Sequence, residues 1–235
     1  MLRTIWAGLI IVPWTAICAT LSFFGGILIP QGRGYHQMAR LWSAVIVPVI
    51  GIRLKVTGLE HLDRNQQYVF VSNHSSAIDI PVVVHSIPWQ IRLVAKKELA
   101  WVPFLGWSLV WGDYLLIDRK NRSNSKKSLD AAAHKLKNGR SIFMFAEGTR
   151  SRDGKIGPFK SGPFLVALWA QVPVVPITLN FTHSIMEKNS LRVKGGVVEV
   201  HISPPIQTTG KTEADRKEIV DSAWKAVISH HQLTE

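Results

Sequence analysis

Tyr68-Val69-Phe70-Val71-Ser72-Asn73-His74-Ser75-Ser76-Ala77-Ile78-Asp79-Ile80-Pro81 is the stretch around which the rest of the chain falls into place. Its apolar half, Tyr68 to Val71, is short and reads as a buried strand. Ser75 or Ser76 is placed to cap a helix that carries Asp79 and Ile80 towards Pro81. His74 then sits at the outer end of a strand, and Asp79 a turn into the next element. A histidine oriented by a carboxylate is the minimal equipment for taking a proton from an alcohol near neutral pH. Such a pair also arises by chance, so it needs support from elsewhere in the chain.

Outward from that stretch, strands are expected at 52–57, 68–72, 91–95, 114–117, 142–145 and 174–179. Helices are expected at 76–84, 124–137, 160–170 and 213–231. A hairpin is expected to turn at Gly195-Gly196, with Val197 to Ile202 as its second limb. Strands alternating with helices imply an α/β fold, a mixed and largely parallel sheet covered by helices on both faces. The expected division is 1–51 as N-terminal membrane-associating helices and 52–235 as a single α/β domain, which 235 residues suffice to bury.

Charge and apolar runs narrow the partners. The net charge is +12, and residues 91–160 alone hold 15 Lys/Arg against 6 Asp/Glu. A basic face points to an anionic partner, and with no nucleic-acid motif beside it, lipid and phosphate lead. Thr4 to Pro30 carries no charge; as one helix it would reach about 40 Å, more than a bilayer core requires. Pro13, Gly25-Gly26 and Pro30 argue against one unbroken helix, and a second uncharged run, Leu41 to Ile52, is too short to span. A spanning helix followed by an amphipathic one, a hairpin dipping into one leaflet and a secretory signal ending near Ala19 compete, and membrane attachment is the expectation. Trp101, Phe104, Trp107 and Trp111 fit either an interfacial aromatic belt or core packing. Cys18 is the single cysteine, which excludes an internal disulfide and a multi-cysteine zinc site.

Three further blocks follow Asn73-His74…Asp79: Trp111-Gly112-Asp113-Tyr114-Leu115-Leu116-Ile117-Asp118-Arg119, Phe145-Ala146-Glu147-Gly148-Thr149-Arg150-Ser151, and Val172-Pro173-Val174-Val175-Pro176-Ile177. The four together, in this order from about Val56 to Ile206, resemble the glycerolipid acyltransferases, and among them the lysophosphatidic acid acyltransferases. The Glu147-Gly148-Thr149-Arg150-Ser151 block is the most specific piece. Ala146 departs from the resembled pattern, which usually has proline there.

The resemblance implies transfer of a fatty acyl group from acyl-CoA or acyl carrier protein to the sn-2 hydroxyl of lysophosphatidic acid. It implies His74 and Asp79 as the catalytic pair, and acceptor binding by Arg119, Glu147, Gly148, Thr149 and Arg150. Guanidinium forks suit phosphate on chemical grounds alone, and Lys97 is a further phosphate candidate. Glu147 would repel a phosphate, so it is expected to bind a glycerol hydroxyl or orient Arg150. Val172–Ile177 is expected to form a structural wall, with an acyl channel as the space it would bound, and the amides after His74 are candidate oxyanion donors. Membrane lipids are expected partners, no metal or organic cofactor is implied, and the expected place is the cytoplasmic side of an inner membrane. The rivals are another lysolipid, glycerol 3-phosphate or an aminolipid as acceptor, a non-catalytic lipid-binding protein, and a hydrolase that uses His74 to activate water.

Overall fold

The computed structural model describes residues 2–28, 33–112, 114–118, 122–137 and 139–233. In chain order the elements are α1 (Leu2–Leu28), α2 (Arg33–Ile50), β1 (Ile52–Thr57), β2 (Val69–Ser72), α3 (Asp79–Ser86), β3 (Ile91–Lys96), α4 (Leu105–Trp111) and β4 (Leu115–Ile117). There follow α5 (Arg122–Lys137), β5 (Ser141–Phe145), α6 (Gly162–Ala170), β6 (Val174–Asn180), α7 (Thr182–Ile185), β7 (Gly196–Ile202) and α8 (Arg216–Ser229).

The seven strands form one sheet in the order β1-β7-β6-β2-β5-β3-β4. Every pairing is parallel except β6 with β7. Alternation sorts each central strand between two covered faces, which is why these strands read as continuous apolar runs. Tyr68, Phe70, Phe143, Val175 and Ile177 face one core with Val82 and Val83 of α3 and Ile46 and Ile50 of α2. Val69, Val71, Ile142, Met144 and Val174 face the other, with Phe164 of α6, Ala132 of α5 and Ile219 of α8. Helix α2 therefore shares a core with the sheet.

Two local expectations give way. No strand precedes β7 at Gly195-Gly196; residues 187–195 form no strand, and β7 pairs with the distant β1 and with β6. The alternation of Val197 to Ile202 is real, but its partners lie far off in sequence. Helix α1 runs unbroken through Pro13. It is fastened along its length: Val193 N donates to Thr4 Oγ1 (3.1 Å), Trp42 Nε1 donates to Thr15 Oγ1 (3.0 Å), and the Arg3 guanidinium packs on Gly51 and Gly195.

Candidate active site

Strands β6, β2, β5, β3 and β4 run parallel, so their carboxyl ends open on one edge of the sheet, where α/β proteins place their ligands. His74 leaves the end of β2 two residues after Ser72. Its Nδ1 lies 2.7 Å from Asp79 Oδ2, with the imidazole 14% exposed and the carboxylate fully buried. Asp79 Oδ2 also accepts from the amides of Ser75 (2.8 Å) and Ser76 (2.9 Å). No side chain caps α3; Asp79, in its first turn, instead gathers the amides of the turn before it, and it sits where the helix dipole favours negative charge. The serine hydroxyls go elsewhere: Ser75 Oγ to Thr182 Oγ1 (2.9 Å) and Ser76 Oγ to the Met186 carbonyl (2.6 Å).

With Nδ1–H given to the carboxylate, Nε2 of His74 carries the lone pair. The ring is stacked on Phe145 at 3.8 Å and 13°, which holds its plane. Asn73 locks the base of the turn to β6, donating to the Leu179 carbonyl and accepting from the Leu179 amide, each at 2.9 Å.

Glu147 is a brace in this geometry. Its Oε1 accepts from the His74 amide (2.7 Å) and its Oε2 from the Gly157 amide (2.9 Å), so both carboxylate oxygens face the backbone. Burial pushes its carboxyl above the usual range, against the opposing pull of the Gly157 and His74 amides. The expected contact with a glycerol hydroxyl therefore has no oxygen already turned to it. Gly148 has a φ of +72° in the turn after β5, where a Cβ would also press on the Lys160 stem. Ala146 uses the amide that a proline would lack, donating to the Ser72 carbonyl at 2.9 Å. The amides of Ser75 and Ser76 are committed to Asp79, so they do not serve as the expected oxyanion donors.

A cavity of about 590 Å³ opens beside the dyad. Its apolar wall comes from α1 (Cys18, Ala19), α2 (Trp42), α3 (Ile80, Val84) and α4 (Leu109). Its polar groups include His74, Lys96, Thr149, Arg150 and Lys188, with hydroxyls from Thr15, Ser22, Tyr35, Ser108 and Tyr114 also in the lining. Among the expected residues, His74, Thr149 and Arg150 line it. Lys97 does not: it opens a 3-10 turn, and the preceding Lys96, last in β3, takes the place at the cavity. Val172–Ile177 does not line it either, because β6 is a fully buried central strand. Arg119 and Asp113 lie outside the described residues. Sequence reasoning missed Lys96, Lys188 and Phe145. Strand register points to Lys96 and Phe145, whereas nothing local to Lys188 marks it.

A histidine backed by a carboxylate at the rim of an apolar cavity is equipped to move a proton beside an apolar chain, the equipment of enzymes of lipid acyl chemistry. Its likeness to known proteins narrows this. The family model described as Acyltransferase matches residues 53–180. The chain is 31% identical over 224 residues to human 1-acyl-sn-glycerol-3-phosphate acyltransferase alpha, covering 94% of this chain and 77% of that one. It is 36% identical over 198 residues to the 1-acyl-sn-glycerol-3-phosphate acyltransferase of Limnanthes douglasii, covering 84% and 69%. The crystal structure of PlsC, the 1-acyl-sn-glycerophosphate (LPA) acyltransferase from Thermotoga maritima, shares the fold with a TM-score of 0.81 at 23% identity, covering 100% of this chain and 97% of that one. The chain belongs to the acyltransferase family.

Proposed function

We propose that the protein transfers a fatty acyl group from an acyl thioester to the sn-2 hydroxyl of lysophosphatidic acid, giving phosphatidic acid. The observation that carries this reading is the His74–Asp79 pair opening on an apolar cavity that is edged by cations. The acyl chain occupies the apolar part. Nε2 of His74 takes the acceptor's proton as its oxygen attacks the thioester carbonyl, forming the C–O bond. The tetrahedral intermediate then collapses, the C–S bond breaks, and the imidazolium returns the proton to the thiolate. Asp79 supplies the counter-charge while that imidazolium exists. Oxyanion stabilisation is assigned to Thr149 and Lys96, which also line the cavity. The donor carrier is acidic, as both acyl-CoA and acyl carrier protein are, which suits the basic face. The deciding assay offers purified protein a labelled acyl thioester and a panel of lysolipids and weighs the products. A product other than phosphatidic acid, or free fatty acid without acceptor, overturns the reading.

Arg150 is assigned to the acceptor's phosphate, since a planar fork matches two phosphate oxygens. Arg150→Ala should raise the KM for lysophosphatidic acid at least about tenfold with a smaller change in kcat. An unchanged KM removes the residue from that role.

Membrane attachment follows the same geometry. A helix held at Thr4 by Val193 of the α/β domain and at Thr15 by Trp42 of α2, with Cys18 and Ala19 on the cavity, lies along the domain. This supports the single-leaflet reading over a spanning one, with exposed Ile5, Leu9 and Val12 in the acyl region. Helix α4 packs against α1 and adds Trp107 and Trp111 beside the same surface, and the 3-10 turn before it adds Trp101 (86% exposed). The net charge of +12 suits anionic lipid, which supports a cytoplasmic-side attachment as part of this reading. The double variant Trp101→Ser/Trp107→Ser should weaken partition onto anionic vesicles roughly tenfold. Unaltered sedimentation with vesicles refutes that contact.

A further inference from the structure

Lys188 belongs to none of the four sequence blocks, yet it reaches the cavity from the segment after α7. Its Nζ donates to the carbonyl of Arg150 at 2.6 Å. Two residues earlier the Met186 carbonyl accepts from Ser76 Oγ, and Thr182 meets Ser75. One segment, 182–188, is thus tied both to the turn that carries His74 and to the turn that carries Arg150. Asn189, immediately after Lys188, is held in the left-handed region at φ 65°, and Ser190 N closes the turn on the Glu187 carbonyl at 3.2 Å. A half-buried ammonium in so fixed a place differs from a solvated surface lysine.

Its electrostatic setting is incomplete. Among the described residues, neither Lys188 nor Arg150 forms an ion pair, and the one acid paired with any of the three cavity cations is Glu98, 3.2 Å from Lys96. An ammonium has three N–H donors, and one of Lys188's is given to the Arg150 carbonyl. A phosphate monoester carries about −1.5 to −2 charge at neutral pH, which a single arginine does not balance.

We propose that Lys188 selects for the acceptor's phosphate: its ammonium holds the Arg150 peptide in place and binds the phosphate as a second cation beside the guanidinium. The inference rests on the proposed acylation of lysophosphatidic acid. The donor carrier also bears phosphates, so acceptor and donor are tested separately.

The experiment measures kcat/KM for 1-acylglycerol 3-phosphate and for 1-monoacylglycerol, which lacks the phosphate, along with KM for the acyl thioester. Lys188→Met should lower the ratio of the two acceptor efficiencies about tenfold, through KM for the phosphate acceptor. Lys188→Arg should keep most of the ratio, whereas Lys188→Gln, which retains a donor to the Arg150 carbonyl without the charge, should lose it. Equal loss with both acceptors, a KM rise confined to the thioester, or a ratio retained in Lys188→Gln overturns the proposal. Lys188→Arg and Lys188→Gln keep the test open should Lys188→Met fail to fold. A wild-type enzyme with no preference for the phosphate acceptor sinks the reading of the substrate itself. A wild-type preference that Lys188→Gln leaves intact sinks the role of Lys188 alone.

Discussion

The substitution His74→Ala is expected to cut acyl transfer by about 10²- to 10⁴-fold while leaving the protein folded. The loss follows from the geometry of the imidazole. Nδ1 is engaged by Asp79, Phe145 fixes the ring plane, and Nε2 is the lone pair left for the cavity. Among the described residues, no other imidazole stands at the cavity wall. Folding should survive because the turn around His74 is held without its side chain. The His74 amide is bound by Glu147 and its carbonyl by the Ser151 amide, and Asp79 keeps the Ser75 and Ser76 amides. Residual transfer would come from binding two reactants in the right arrangement. Turnover with a labelled thioester, read beside a thermal melt, checks both halves. Near-normal turnover in His74→Ala would exclude general-base catalysis by this residue, and a collapsed melt would show that the ring is a packing element.

The contrast between His74 and its neighbours shows what sequence makes legible. A residue's chemistry and a strand's two covered faces are local properties, so Val69–Val71, Ile142–Met144 and Val174–Leu179 declare themselves as buried strands. Partners are not local. Val197–Ile202 alternates as a strand should, yet its parallel mate β1 begins as early as Ile52 and was invisible to a hairpin reading. The same holds within the site. Ser75 and Ser76 have the chemistry of caps, but the buried Asp79 reaches their amides first, and their hydroxyls are drawn to Thr182 and Met186, 107 and 110 residues on. Glu147 announces its importance through its block, whereas its work, bridging the His74 and Gly157 amides, depends on the fold that brings β2 beside β5.

The substitution Asp79→Asn is expected to lower kcat roughly 10- to 150-fold, with little loss of stability. Three N–H groups converge on one oxygen, Asp79 Oδ2, while Oδ1 is buried with no hydrogen-bond partner among the described residues. An asparagine keeps all three bonds by placing its oxygen at the Oδ2 position and its NH₂ at the Oδ1 position. The flipped amide would set NH₂ against the Ser75 and Ser76 N–H groups, so it is disfavoured. The imidazole tautomer is therefore retained, unlike the same exchange in a serine-protease triad, where the wrong tautomer is the cause of the loss. What disappears is the negative charge opposite the transient imidazolium. Asp79→Ala is different in kind. It strips the acceptor from two buried amides and from His74 Nδ1, each worth about 1–3 kcal/mol when left unpaired, so both the melting temperature and the turnover should fall. Comparing the two variants by kcat and by melting separates charge from scaffolding. Wild-type melting and wild-type turnover in both variants would mean that neither the charge nor the three donors it gathers matter, and the account of this carboxylate would have to be abandoned.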